Sequence, residues 1–86
     1  MACYSVEIKK SAQKTLLGLP AQIVENITLI IDSLIENPKP HGSKKLAGAD
    51  NTYRIRSGDY RIIYTVFNSE LIVEVIKVGH RKEIYR

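Results

Sequence analysis

Apolar and polar residues alternate at the start of the chain. Tyr4, Val6 and Ile8 are separated by Ser5 and Glu7, which predicts a short first strand. The period then lengthens. Ala12, Leu16 and Leu19 recur at helical spacing in a polar stretch that begins at Ser11, and Gly18 interrupts it, so a short helix is expected. Pro20, tolerated in a first turn, opens a longer helix in which Ile23, Ile27, Ile30, Ile31 and Leu34 fall on one face. Asn37-Pro38-Lys39-Pro40 stops it, and residues 39–51 read as a basic loop with Gly42, Gly48 and one large apolar anchor, Leu46.

Beyond Thr52 the period of two returns, over 53–57, 60–67 and 70–78, with Gly58-Asp59 and Asn68-Ser69 as the intervening turns. If each is a two-residue hairpin, Ser57 faces Tyr60, Arg56 faces Arg61, Phe67 faces Glu70 and Arg61 also faces Ile76. One sheet face then carries Tyr53, Ile55, Tyr60, Ile62, Tyr64, Val66, Leu71, Val73 and Val75, which suits it to cover the helical stripe. The other carries Arg54, Arg56, Arg61, Thr65, Glu70 and Glu74 among Ile63, Phe67, Ile72 and Ile76. The expected fold class is α+β: two N-terminal helices packed on an antiparallel four-stranded sheet in the order β-α-α-β-β-β, as a single domain over residues 1–86.

Composition narrows this further. A chain of 86 residues, 44% hydrophobic, supports one thin core and no second domain. With only 5 Gly and 3 Pro, collagenous and disordered readings fail. No apolar run approaches the length of a membrane span, and no signal core follows Met1, so a soluble, cytoplasmic protein is expected. Cys3 is the only cysteine, and His41 and His80 lie far apart, which leaves no internal disulfide and no metal-ligand spacing. No cofactor is expected.

The net charge of +4 is unevenly placed. Residues 38–61 sum to +4 and residues 77–86 to +3, while 1–37 sum to −1 and 62–76 to −2. Two basic blocks thus flank an apolar strand, which suggests a polyanion partner. Arg56 opposite Arg61, with Arg54 two positions along, is locally unfavourable, because like charges across a sheet destabilise it by up to about 1 kcal/mol. Either Glu70 or Glu74 compensates, or an external anion such as a phosphate sits between the guanidinium forks. Val78-Gly79 is able to turn the tail back over the same end, bringing His80, Arg81, Lys82, Tyr85 and Arg86 there. Fixed cations with an imidazole and a phenol are parts for cleaving RNA without a metal. A ribose 2′-OH attacks the adjacent phosphate, cations stabilise the phosphorane, and an acid protonates the leaving 5′ oxygen.

The run Tyr53-Arg54-Ile55-Arg56-Ser57-Gly58-Asp59-Tyr60-Arg61-Ile62-Ile63-Tyr64, followed by Val78-Gly79-His80-Arg81-Lys82-Glu83-Ile84-Tyr85, resembles the RelE toxins of the RelE/ParE toxin–antitoxin superfamily. The first strand, the helix pair, Leu46-Ala47-Gly48 and the chain length resemble them too. The resemblance implies a toxin of a type II toxin–antitoxin system: a ribosome-dependent, metal-independent endoribonuclease that cleaves mRNA in the ribosomal A site. It implies catalytic roles for Arg54, Arg56, Arg61, Arg81 and Tyr85, with His80 sharing the acid or base work. Arg54 and Arg56 replace lysines of the best-known members. Arginine stays protonated, so they are read as phosphate clamps. Lys39, Lys44, Lys45, Lys82 and Arg86 are the expected further RNA-binding residues. The implied partners are ribosome, mRNA and a separately encoded antitoxin with an acidic, amphipathic helix that covers the sheet edge or the basic face. ParE-type relatives inhibit DNA gyrase and generally lack the arginine and tyrosine of the tail, so Arg81 and Tyr85 favour the ribonuclease. A non-catalytic RNA-binding module is the third class.

Overall fold

A computed structural model describes residues 3–80. Strand β1 (Ser5–Ile8) leads into helices α1 (Lys10–Leu17) and α2 (Ala21–Ser33), and then come β2 (Lys44–Lys45), β3 (Thr52–Ser57), β4 (Tyr60–Phe67) and β5 (Ile72–His80). The helices form where the periodicity placed them. Pro20 caps α2 at φ −57° and ψ 146°, one residue ahead of the first helical position. The apolar stripe of α2 buries Ile27 and Ile31, and Leu34 follows just past its end; each contributes roughly 1.5–3 kcal/mol by leaving water. They meet Ile55, Ile62, Tyr64, Val66, Val73, Val75 and Val78 from the sheet.

The α+β expectation holds, with two differences in the sheet. It has five strands rather than four, in the order β1-β5-β4-β3-β2. The added strand is the Lys44–Lys45 pair inside the expected loop, antiparallel to β3 through Lys44 with Arg54 and Lys45 with Tyr53. Two residues are too few to show a period. The sheet is also mixed, because β1 runs parallel to β5, Val6 beside Val73 and Ile8 beside Val75. Side-chain alternation is identical in either direction, so the pattern of β1 carries no information on its orientation.

The first hairpin has the expected register. Ser57 pairs with Tyr60 and Arg56 with Arg61, across a two-residue turn in which Gly58 takes φ 60°. The second does not. Phe67 pairs with Ile72 instead of Glu70, and Arg61 with Gly79 instead of Ile76. Its turn has four residues because Leu71 takes φ 54° and its carbonyl accepts a 2.8 Å hydrogen bond from the Ser5 N–H of β1. Tyr4 Oη donates to Asn68 Oδ1 at 2.9 Å in the same turn. A register shift follows between Ile63 and Tyr64, where Lys77 and Val75 are the successive partners and Ile76 is the extra residue. The bulge keeps Val73, Val75 and Val78 all in the core, and takes Ile76 out of the open-face row in which it was expected. Strand β5 runs on through Val78 and Gly79 to His80, so no turn occurs at Val78-Gly79.

Candidate functional site

The site is built on the sheet face opposite the helices. Arg56 and Arg61 are direct partners, and Arg54, two residues from Arg56, pairs with Lys44, so four cations share that face at the β2 to β4 side. Arg61 is 8% exposed while Arg56 is open to solvent. Beside them is a cleft of about 420 Å³, lined by His41, Gly42, Lys44, Arg54, Ile55 and Arg56.

Neither Glu70 nor Glu74 is the counter-charge for the Arg56–Arg61 pair. Arg61 lies against Gly79, and Glu74 lies beside Thr65, four residues along β4 from Arg61, roughly 13 Å at strand rise. Glu70 lies still farther away, in the turn. Guanidinium forks placed side by side suit phosphate oxygens, which accept from them in a bidentate way.

The loop that carries His41 is held at several points. Tyr64, fully buried, donates from Oη to the Pro38 carbonyl at 2.8 Å. Lys39 N–H donates to Asn37 Oδ1 at 3.2 Å, and Lys39 Nζ lies 5.7 Å above the Tyr53 ring, which stacks on Tyr64. The segment 40–43 is a tight turn in which the Pro40 carbonyl accepts from the Ser43 N–H at 3.0 Å and from Ser43 Oγ at 2.8 Å. Gly42 takes φ 97° there, a conformation that favours glycine. Burial pushes the Tyr64 phenol above its ordinary pKa; hydrogen bonding with Ser43 partly offsets this, and nearby Tyr53 adds to it.

The expected site residues divide into three groups. Lys44, Arg54, Arg56 and Arg61 come together. Lys39, Lys45 and His80 do not join them. Lys45 pairs with Tyr53 and lines a separate cleft with residues 46–50, and Lys39 packs over Tyr53. His80 pairs with Tyr60 on the helix side of the sheet, its ring edge-on to that tyrosine at 5.6 Å. Arg81, Lys82, Tyr85 and Arg86 lie outside the described residues. His41, in the wall of the cleft, was not among the expected site residues. The signal available was Pro40-His41-Gly42-Ser43, a turn sequence one residue ahead of Lys44.

Comparison with known proteins agrees with this fold. The family of ParE toxins of type II toxin–antitoxin systems matches residues 6–85. The toxin RelE3 of Methanocaldococcus jannaschii is 38% identical over 80 residues, covering 88% of this chain and 89% of its own. The mRNA interferase toxin RelE of Escherichia coli is 30% identical, covering 95% and 90%. Among solved structures, an archaeal RelE–RelB complex from Pyrococcus horikoshii superimposes with a TM-score of 0.84 at 31% identity, over 94% of this chain and 98% of that one. With the sheet, the helix pair and the Arg56–Arg61 register in common with the expected pattern, the chain belongs to the RelE/ParE toxin superfamily, as a RelE-type member.

Proposed function

We propose that this toxin is an endoribonuclease that cleaves mRNA in the ribosomal A site and so stops translation. The observation that carries the proposal is the Arg56–Arg61 pair beside a cleft lined by Lys44 and Arg54. Relatives named mRNA interferases support the same activity. The 2′-oxygen attacks the adjacent phosphorus, and the arginines meet the negative charge that grows on the phosphorane oxygens. Arg61, nearly out of solvent, contributes most, since a fixed cation in a low-dielectric setting acts more strongly than an exposed one. Arg54, Arg56 and Lys44 clamp flanking phosphates. A cleft lined by cations repels a divalent metal, so the chemistry proceeds through side chains alone.

Arg81 is the second charge-stabilising group in this proposal, and Tyr85 the acid for the leaving 5′ oxygen. His80, on the Tyr60 side, is the weaker candidate for that role. The ribosome holds the 2′-OH in line for attack, and the toxin works in the cytoplasm where ribosomes are. A separately encoded antitoxin is its protein partner, as supported by structural neighbours that are toxin–antitoxin complexes. The test is an mRNA cleavage assay with and without ribosomes, on wild type and Arg81→Ala. Cuts within the A-site codon, dependent on ribosomes and lost in the variant, are expected. The ParE description of the matching family favours one other reading, inhibition of DNA gyrase. Intact mRNA together with blocked supercoiling would replace the ribonuclease by that reading.

A further inference from the structure

We propose that His41 is the general base that takes the 2′-OH proton. The inference rests on the ribonuclease reading and adds to it the group that reading lacks. Of the side chains lining the cleft, Lys44, Arg54 and Arg56 are cationic donors, and the imidazole alone combines an acceptor nitrogen with a donor one. The backbone that carries this exposed side chain is also held in place. The turn 40–43 is closed by two hydrogen bonds from Ser43 to the Pro40 carbonyl, and two residues upstream the Pro38 carbonyl is tied to buried Tyr64. Gly42 at φ 97° and the pairing of Lys44 with Arg54 bring this turn against β3. A histidine on an untethered loop would lose the ordering that general-base catalysis needs.

The step balances as follows. A neutral imidazole nitrogen of His41 accepts the 2′-OH proton, and the 2′-oxygen forms a bond to phosphorus as the bond from phosphorus to the 5′ oxygen breaks. The products are a 2′,3′-cyclic phosphate and a 5′-hydroxyl whose proton comes from the acid, Tyr85 in the reading above. Proton return from imidazolium to phenolate through solvent resets the enzyme.

The experiment measures single-turnover cleavage of ribosome-bound mRNA by wild type, His41→Ala and His41→Gln, with ribosome binding measured in parallel. Both variants should lose about 10²–10⁴-fold in rate, the usual range for a general base, with binding within a few-fold of wild type. Added imidazole should restore at least tenfold of the lost rate to His41→Ala and none to His41→Gln, whose side chain fills the space. With a 5′-thio leaving group, which needs no acid, the His41→Ala defect should persist. Wild-type rates in both variants, a binding loss equal to the rate loss, no rescue, or a defect that vanishes with the thio substrate would each overturn the assignment while leaving the ribonuclease reading intact. Wild type that leaves ribosomal mRNA whole would overturn that reading, and the assignment with it.

Discussion

The open face of the sheet has two ends that use the same device for different purposes. At one, Arg56 lies directly across from Arg61, beside a cleft of about 420 Å³ with Lys44 and Arg54 in its wall. At the other, Glu7 of β1 lies beside Glu74 of β5, and these two with Glu70, Phe67 and Ile72 line a cleft of about 350 Å³. Each end places like charges next to one another at a cost in stability. The cationic end has a buried member, Arg61, and a neighbouring loop tied down by Tyr64. The acidic end has an exposed aromatic, Phe67 at 41%, and a turn with Leu71 39% exposed. Cations with fixed geometry suit a phosphate. Carboxylates among exposed apolar side chains repel a polyanion, so on the proposed function nucleic acid would approach from the arginine side.

The comparison breaks most visibly at Arg61. Arg61→Ala should lower the rate of ribosomal mRNA cleavage by about 10²–10³-fold, as for other losses of a transition-state charge contact, and Glu74→Ala should leave it within about twofold. Single-turnover cleavage with a circular dichroism check of folding decides it. Equal losses at the two ends would mean that the rate follows sheet integrity rather than charge.

Binding should sharpen the same contrast with a smaller effect. Lys44→Ala removes a cation from the cleft wall, so the slope of log affinity for ribosomes against log salt should fall by about 0.7–0.9, the value for one phosphate contact. Glu70→Gln should leave that slope unchanged. Lys45→Ala tests whether Lys45, which pairs with Tyr53 and sits in another cleft, acts independently of Lys44.

How far this arrangement was legible in the sequence differs between the ends. The Arg56–Arg61 register follows from Gly58, because a two-residue hairpin needs a positive φ and glycine supplies it. The second hairpin carries its positive φ on Leu71, where leucine is a poor indicator, and the conformation is held by β1 some sixty residues earlier, through Ser5 and Tyr4. No local rule reaches that far. The bulge did leave a trace, since Val73, Val75 and Val78 are spaced by two and then three, the signature of one extra residue in a buried face. His41 was hidden for the same reason as Leu71: its place depends on the Tyr64 hydrogen bond to Pro38, a contact across 26 positions.

The tether itself gives a third contrast. Tyr64→Phe keeps the stacked ring and removes the hydroxyl, leaving the Pro38 carbonyl without its donor, which should cost about 1–2 kcal/mol of stability in denaturant titration. Cleavage should fall with it, because the loop with His41 and Lys44 loosens. The pH dependence has a definite sign. Burial raises the folded-state pKa of Tyr64, so the folded chain holds its proton at pH values where the unfolded chain has released it. The stabilisation is fully present below the ordinary phenol value of about 10 and is lost as pH rises from there toward the folded-state pKa. Tyr64→Phe should therefore flatten the alkaline decline in melting temperature. An unchanged decline would assign it to other groups.

The smallest effect is expected at the acidic end. Glu7 and Glu74 are neighbours across the parallel β1–β5 pair, in the strand pairing that also supplies the Ser5 hydrogen bond to Leu71. Replacing Glu7 by Gln keeps the shape and removes one of two facing charges, so stability should rise by tenths of a kcal/mol up to about 1, more at low salt than at high. Glu7 is exposed and Glu74 half-buried, which limits the gain because solvent already screens the outer carboxylate. Arg56→Gln at the other end should also relieve a like-charge pair, and raise stability by a similar amount, yet it should slow cleavage where Glu7→Gln does not. Thermal melts of the two variants at two salt concentrations, set beside their cleavage rates, separate charge repulsion that bears on the proposed cleavage from charge repulsion that does not. A Glu7→Gln variant that slowed cleavage tenfold without a change in melting temperature would end the division of the face into a working end and a repelling one.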